Sequence, residues 1–445
     1  MTRIGHTRRA LVAALVLACA ILAAPPAAAE TTESPTPTPT PTEDPIRAGE
    51  YWLDQYGISD AWEHTRGAGT TVAVIDSGVA SGIPELDGAV TGGHDASGVG
   101  SADGRTSLGA DVETRSHGTW VASLLASRGD GEEAGLIGVA PEADILSVSL
   151  GFGSVSDVPF SDQLAEAMKW AVDNGADVIN LSFTTNQTSW DESWDDAFTY
   201  AYDHDVVVVA SAGNRGSGTT MVGAPATIPG VLVVGGVDPS GHASDIASTQ
   251  GITIGVSAPS EDLLGIGPSG DVEEWSGTSA AAPIVSGIAA LIRSEYPNLD
   301  ANNVIERIIK TAEPAPDQDG GRDPLYGFGI VDADAALTDD VARVDSNPMG
   351  DLATWIRLNR GSDSAGEIDG AEPTPDPVTL PALPPADEPA TASSPWIPSA
   401  ESMREVTLPL AAASLGSIGI VLGVVASFRR IRVLRAGRAS RPSDK

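Results

Sequence analysis

The chain has 445 residues, 41% of them hydrophobic, a single cysteine and a net charge of −36. Its size and apolar content suffice for a large buried core. So negative a net charge rules against nucleic acid as a partner, because phosphate binding needs clustered Lys and Arg. Cys19 lies in the first apolar run, so the rest of the chain has no disulfide, cysteine-ligated zinc or thiol nucleophile available to it.

Residues 1–29 combine a basic head, the run LVAALVLACAILAA and an Ala-x-Ala ending at Ala29. These are the parts of a secretory signal peptide, the alternative being an uncleaved N-terminal anchor. Residues 30–45 alternate Thr and Pro and predict an extended stalk. From 46 to 340, apolar strand patterns (71–76, 143–150, 177–183, 205–213 and 230–237) alternate with helical ones (117–127, 161–175, 193–205, 278–296 and 300–312). Val/Ile-rich strands alternating with amphipathic helices predict an α/β fold, a mainly parallel sheet covered by helices in three layers. In such folds ligands collect at the carboxyl ends of strands. Residues 341–405 have the Pro, Asp, Ala and Ser content of a linker. Residues 406–428 predict one transmembrane helix, because 408–428 carry no charge and would span roughly 31 Å. The Arg-rich tail 429–445 follows, and a basic flank marks the cytoplasmic side. Fifteen basic residues face sixty acidic ones between residues 30 and 407. That balance favours solubility and repels anionic envelope polymers.

Within the globular part, three residues stand where a strand ends or a helix pattern starts. Asp76 ends TVAVID, His117 heads HGTWVASLL, and Ser279 opens the helix of EEWSGTSAAAPIVSGIAALI. Each has a plain reading alone: a turn carboxylate, a surface or capping imidazole, a helix cap. Together, in the order Asp, His, Ser, they fit one chain order of a Ser-His-Asp triad. No G-x-S-x-G elbow surrounds Ser279, and the chain holds no phosphate-binding G-x-x-x-x-G-K-[ST] loop and no H-E-x-x-H helix. The first strand also lacks the G-x-G-x-x-G spacing of a dinucleotide site.

VAVIDSGV, SHGTWVASLLA, VVASAGN and SGTSAAAPIVSG resemble the four hallmark segments of the subtilisin-like serine proteases over roughly residues 50–335. The resemblance implies Ser279 as nucleophile, His117 as general base and then acid, and Asp76 as the partner of the imidazole. It also implies Asn214 as side-chain donor to the oxyanion. It implies no required cofactor, with structural calcium left open. Trp120 stands where many members have a second His and should affect packing. RGDGEEAG (128–135) replaces a segment that binds calcium in many subtilisins. Asp130, Glu132 and Glu133 there are either a solvated acidic loop or calcium ligands. The expected substrate-lining strand NLSFTT (180–185) leaves the preference at the cleaved bond open. Only about 20 residues separate Ala29 from the domain, too few for the folded pro-domain of secreted subtilisins. The whole order of segments resembles the mycosins, membrane-anchored proteases of type VII secretion systems. That implies a cell-membrane location with the catalytic domain outside, protein or peptide substrates and a secretion membrane complex as partner. A general surface protease and a structural subunit of a secretion complex are the other readings.

Overall fold

The computed structural model describes residues 44–131, 134–153 and 155–360. In chain order the elements are α1 (Pro45–Gly49), α2 (Tyr51–Gln55), α3 (Ile58–Ala61), β1 (Thr71–Asp76), β2 (Val90–Asp95), α4 (Val112–Ala126) and β3 (Asp144–Ser149). Next come α5 (Phe160–Asp173), β4 (Val178–Leu181), α6 (Glu192–Asp203), β5 (Val207–Ser211), β6 (Leu232–Val237) and β7 (Ile254–Pro259). A hairpin of β8 (Leu263–Ile266) and β9 (Val272–Trp275) leads into α7 (Thr278–Glu295), α8 (Ala301–Lys310), α9 (Ala333–Thr338) and α10 (Leu352–Asn359).

Seven strands form one parallel sheet in the order β2-β3-β1-β4-β5-β6-β7. The expected strands are all present, and β1 lies in the interior, paired with β3 on one side and β4 on the other. Side chains alternate along each strand. Val72, Val74, Val178, Val207 and Val209 join the core beneath α4, α7 and α8. Ala73, Ile75, Ile179, Leu181 and Val208 join the second core, beneath α5 and α6. Both faces are dry, which is why the strands read as continuous apolar runs.

Besides strands β2, β7, β8 and β9, which the apolar patterns did not announce, the structure departs from expectation in two places. α4 begins at Val112, not at His117, with Asp111 accepting the Thr114 N–H at 2.8 Å as its N-cap. VETRS carries no apolar period, and Val112 is 68% exposed, so the first turn is invisible to a pattern search. His117 is therefore an interior helical residue. Secondly, residues 341–360, expected within the linker, pack on the domain. Asn303 and Val344 exchange hydrogen bonds of 2.9 and 3.0 Å, Leu352 is buried in the second core, and Trp355 packs against that core. Among the described residues no helix is long and apolar enough to cross a membrane. The leader, the stalk up to residue 43, the remaining linker, the span at 406–428 and the tail lie outside the described residues.

Candidate active site

Alternation along β1 puts Asp76 on the same face as Val72 and Val74, the face covered by α4. Its carboxylate is fully buried, accepts the Ser77 N–H at 2.7 Å, and stands 2.8 and 3.0 Å from His117 Nδ1. A buried carboxylate needs such donors. Because it only accepts, Nδ1 carries the hydrogen and Nε2 of the neutral ring is left as acceptor. Gly118 lets α4 come close enough for this contact. A Cβ there would lie 2.6 Å from the Gly78 carbonyl oxygen, and the Gly118 N–H donates instead to Ser77 Oγ. Trp275 meets the imidazole edge-on at 5.8 Å. Burial works against a charge on His117. The Asp76 charge and hydrogen bond, with a smaller push from Glu113, outweigh it, and the pKa is raised above the ordinary imidazole value.

Ser279 is the second residue of α7, whose dipole favours negative charge at that end. Its N–H has no protein acceptor among the described residues. Its carbonyl would ordinarily accept from the N–H four residues on, but that residue is Pro283, which has none. Ser182 Oγ donates to it at 2.8 Å instead, and Asn180 Nδ2 donates in turn to Ser182 Oγ at 2.9 Å. Asn180 Oδ1 accepts from Ser286 Oγ on α7 at 2.9 Å. This buried set ties the start of α7 to the carboxyl end of β4.

Asn214 follows β5. Its Oδ1 accepts both the N–H and the hydroxyl of Thr278, each at 2.8 Å, while Thr278 Oγ1 accepts the Gly213 N–H at 2.9 Å. With the oxygen so occupied, Nδ2 is the free end of the amide. Gly277 passes against it at φ 151°, and a Cβ there would sit 2.8 Å from Nδ2. Only glycine fits.

The four residues singled out from sequence thus line one cavity of about 310 Å³, with Phe152, Ser182, Phe183, Thr184, Ser211 and Gly213 among its other walls. A second cavity of about 620 Å³ shares His117, Asn214 and Ser279 with it. Ser279 Oγ makes no hydrogen bond among the described residues, and in unliganded sites such contacts often close only with substrate. Thr278 is a site residue that sequence reasoning missed, and Ser182, expected only as part of the substrate-lining strand, has an unforeseen role in holding the Ser279 carbonyl. Their only signal was adjacency to Ser279 and position at a strand end. Among the described residues no group of three His, Cys, Asp or Glu side chains is placed to hold a metal. Asp130 is described; Glu132 and Glu133 lie outside the described residues. An imidazole held by a carboxylate, a hydroxyl lining the same cavity and two free donors can together perform acyl transfer.

Residues 67–329 match the subtilase family (Peptidase_S8). Mycosin-4 of Mycobacterium tuberculosis is 35% identical over 326 residues, covering 64% of this chain and 68% of that protein. Fervidolysin of Fervidobacterium pennivorans is 33% identical over 322 residues, 65% of this chain and 44% of fervidolysin. Among solved structures, the MycP3 protease from the type VII (ESX-3) secretion system superposes with a TM-score of 0.55 at 33% identity, covering 65% of this chain and 88% of that one. MycP1 with its N-terminal propeptide removed gives 0.56 at 29% identity, covering 67% and 99%.

Proposed function

The chain is a serine endopeptidase of the subtilase family, and we propose that Ser279, His117, Asp76 and Asn214 carry its reaction at an extracellular membrane surface. The observation that supports this most is the pairing of buried Asp76 with half-buried His117, opening onto the same cavity as Ser279 and the Asn214 amide. His117 Nε2 takes the Ser279 proton as Oγ attacks the scissile carbonyl carbon. Asp76 stabilises the imidazolium that forms. The oxyanion is received by Asn214 Nδ2 and the Ser279 N–H, each pre-aimed donor of this kind being worth about 3–4 kcal/mol. His117 then protonates the leaving amine, and water releases the acyl group by the reverse sequence. A fluorophosphonate probe should label the wild-type chain and spare Ser279→Ala. Equal labelling of both would remove Ser279 from the reaction.

The membrane part of the proposal rests on the signal-like leader, the uncharged stretch 408–428 and the Arg-rich tail. It is supported by relatives that include mycosins and by the similarity to the MycP3 protease from the type VII (ESX-3) secretion system. Protease added to intact protoplasts should remove the catalytic domain and spare a tag at Lys445; the opposite pattern would reverse the orientation. Deleting the chain should impair type VII export, and an unchanged secretome would leave a general surface protease. The third reading, a structural subunit, predicts that Ser279→Ala exports as well as wild type.

A further inference from the structure

The two cavities at the site share Glu113, His117, Asn214, Ser217 and Ser279. A peptide laid across Ser279 therefore sends its side chains into two different environments. Apart from Asp76, with its partner His117, and the shared Glu113 and Asn214, the first cavity is walled by Phe152, Phe183, Gly213 and small hydroxyl residues. The second is walled by the β9 end of the hairpin, Glu273, Glu274, Trp275 and Ser276, and by Trp120 and Glu113 on α4. No Lys or Arg lines it.

The acidic side chains there have little else to bind. Glu273 Oε2 accepts the Trp120 Nε1–H at 3.0 Å, which fixes that carboxylate in place. Its other oxygen, and both oxygens of Glu113 and Glu274, accept no hydrogen bond among the described residues, and none of the three forms an ion pair there. The indoles of Trp120 and Trp275 lie 5.3 Å apart and are about nine-tenths buried, so they form a rigid floor beside these carboxylates. An apolar ring surface under a carboxylate rim suits a side chain with an alkyl stem and a cationic head.

We propose that the hairpin-side cavity selects substrates carrying Lys or Arg within two residues of the scissile bond, with Glu273 and Glu274 as specificity-determining residues. The inference rests on the reading of Ser279 as nucleophile. Glu113, common to both cavities, adds to the negative field at the cleavage point. Anionic side chains are turned away by the same three charges.

The test uses the full-length chain in detergent and a peptide library of natural sequences, with cut sites read by mass spectrometry. Lys and Arg should be enriched about 10-fold over Gln at one position flanking the cut, and Asp and Glu depleted. The enrichment should shrink as ionic strength is raised to about 0.5 M, because the carboxylates are exposed to salt. In Glu273→Gln/Glu274→Gln the Arg-to-Gln ratio should fall most of the way to one. In parallel, library peptides ending in Arg or Gln compete with the fluorophosphonate probe, so that a peptide held but not cut still registers. Probe labelling without basic preference in cutting or competition overturns the inference and leaves the nucleophile standing. So does a preference that persists in the double variant. Failure of probe labelling, with no cutting, overturns the nucleophile and the inference together.

Discussion

α7 and α5 lie on opposite faces of one sheet and are built from different materials. Every residue of α7 from Ala280 to Arg293 is buried, and small residues dominate its first turns. α5 buries only one stripe, Gln163, Leu164, Ala167, Met168, Ala171 and Val172, at the three-and-four spacing of a surface helix. α7 is thus a strut fixed from all sides, and its first turn is held by the Asn180–Ser182 set and by Asn214. α5 covers a core and holds no reacting group. A hydroxyl that must meet an imidazole within a few tenths of an ångström belongs on the first kind of helix.

The contrast can be broken most severely on the α7 side. Asn214→Ala should lower kcat by about 10²–10³-fold with little change in KM, since the amide helps only as negative charge develops. Asn214→Asp sharpens the point, because it keeps an acceptor for the Thr278 N–H and hydroxyl while losing the donor. It should match the wild-type Tm yet lose at least as much rate. A rise in KM at constant kcat in either variant would reassign Asn214 to ground-state binding.

Leu164→Ala on α5 should do the reverse. Removing a fully buried side chain from the second core costs about 2–5 kcal/mol of stability, while kcat/KM below the melting range stays within about two-fold. A large loss of rate without loss of stability would mean that the two faces are coupled.

The smallest effect concerns pH. His117 must be neutral to take a proton, and its pKa is raised above 6.5 by Asp76 and Glu113 against the pull of burial. The rising limb of kcat/KM should therefore have its midpoint above 6.5, and Glu113→Gln should move it downward. A wild-type midpoint below 6.5 would contradict the pairing. By linkage, the stability this pair contributes is complete below the unfolded imidazole value and fades as pH climbs through the raised folded value.

Much of this was legible in the sequence, and what was not had physical reasons. β1, β3, β4, β5 and β6 announced themselves because both their faces are apolar. β2 did not: VTGGHD has glycines where apolar residues would signal a strand, and its side chains are only half-buried or exposed. β7 was hidden by the Ser and Pro of IGVSAP. Asp76 and Ser279 were singled out because they stand at element ends, His117 because it heads the apolar part of α4, and Asn214 through the family resemblance alone. The first turn of α4 escaped because Asp111 and a polar turn start it without any apolar period. The roles of Thr278 and Ser182 in holding their neighbours escaped for another reason. Hydroxyls that satisfy a neighbour's backbone look like any other Thr or Ser until the partner is seen.

The fastening of α10 has a mechanical consequence. Arg360 pairs with Asp195 on α6, donates to the Trp190 carbonyl at 3.1 Å, and lies over both the Trp190 and Trp355 rings, which are 4.3 Å apart. The chain continues from there to residue 445. Tension along that continuation enters the domain at this clamp, on the α5–α6 side of the sheet, while His117 and Ser279 ride on helices of the other side. The load would be taken first by one arginine, two indoles and a short helix, so peeling of α10 would act as a fuse before strain reached the cleft.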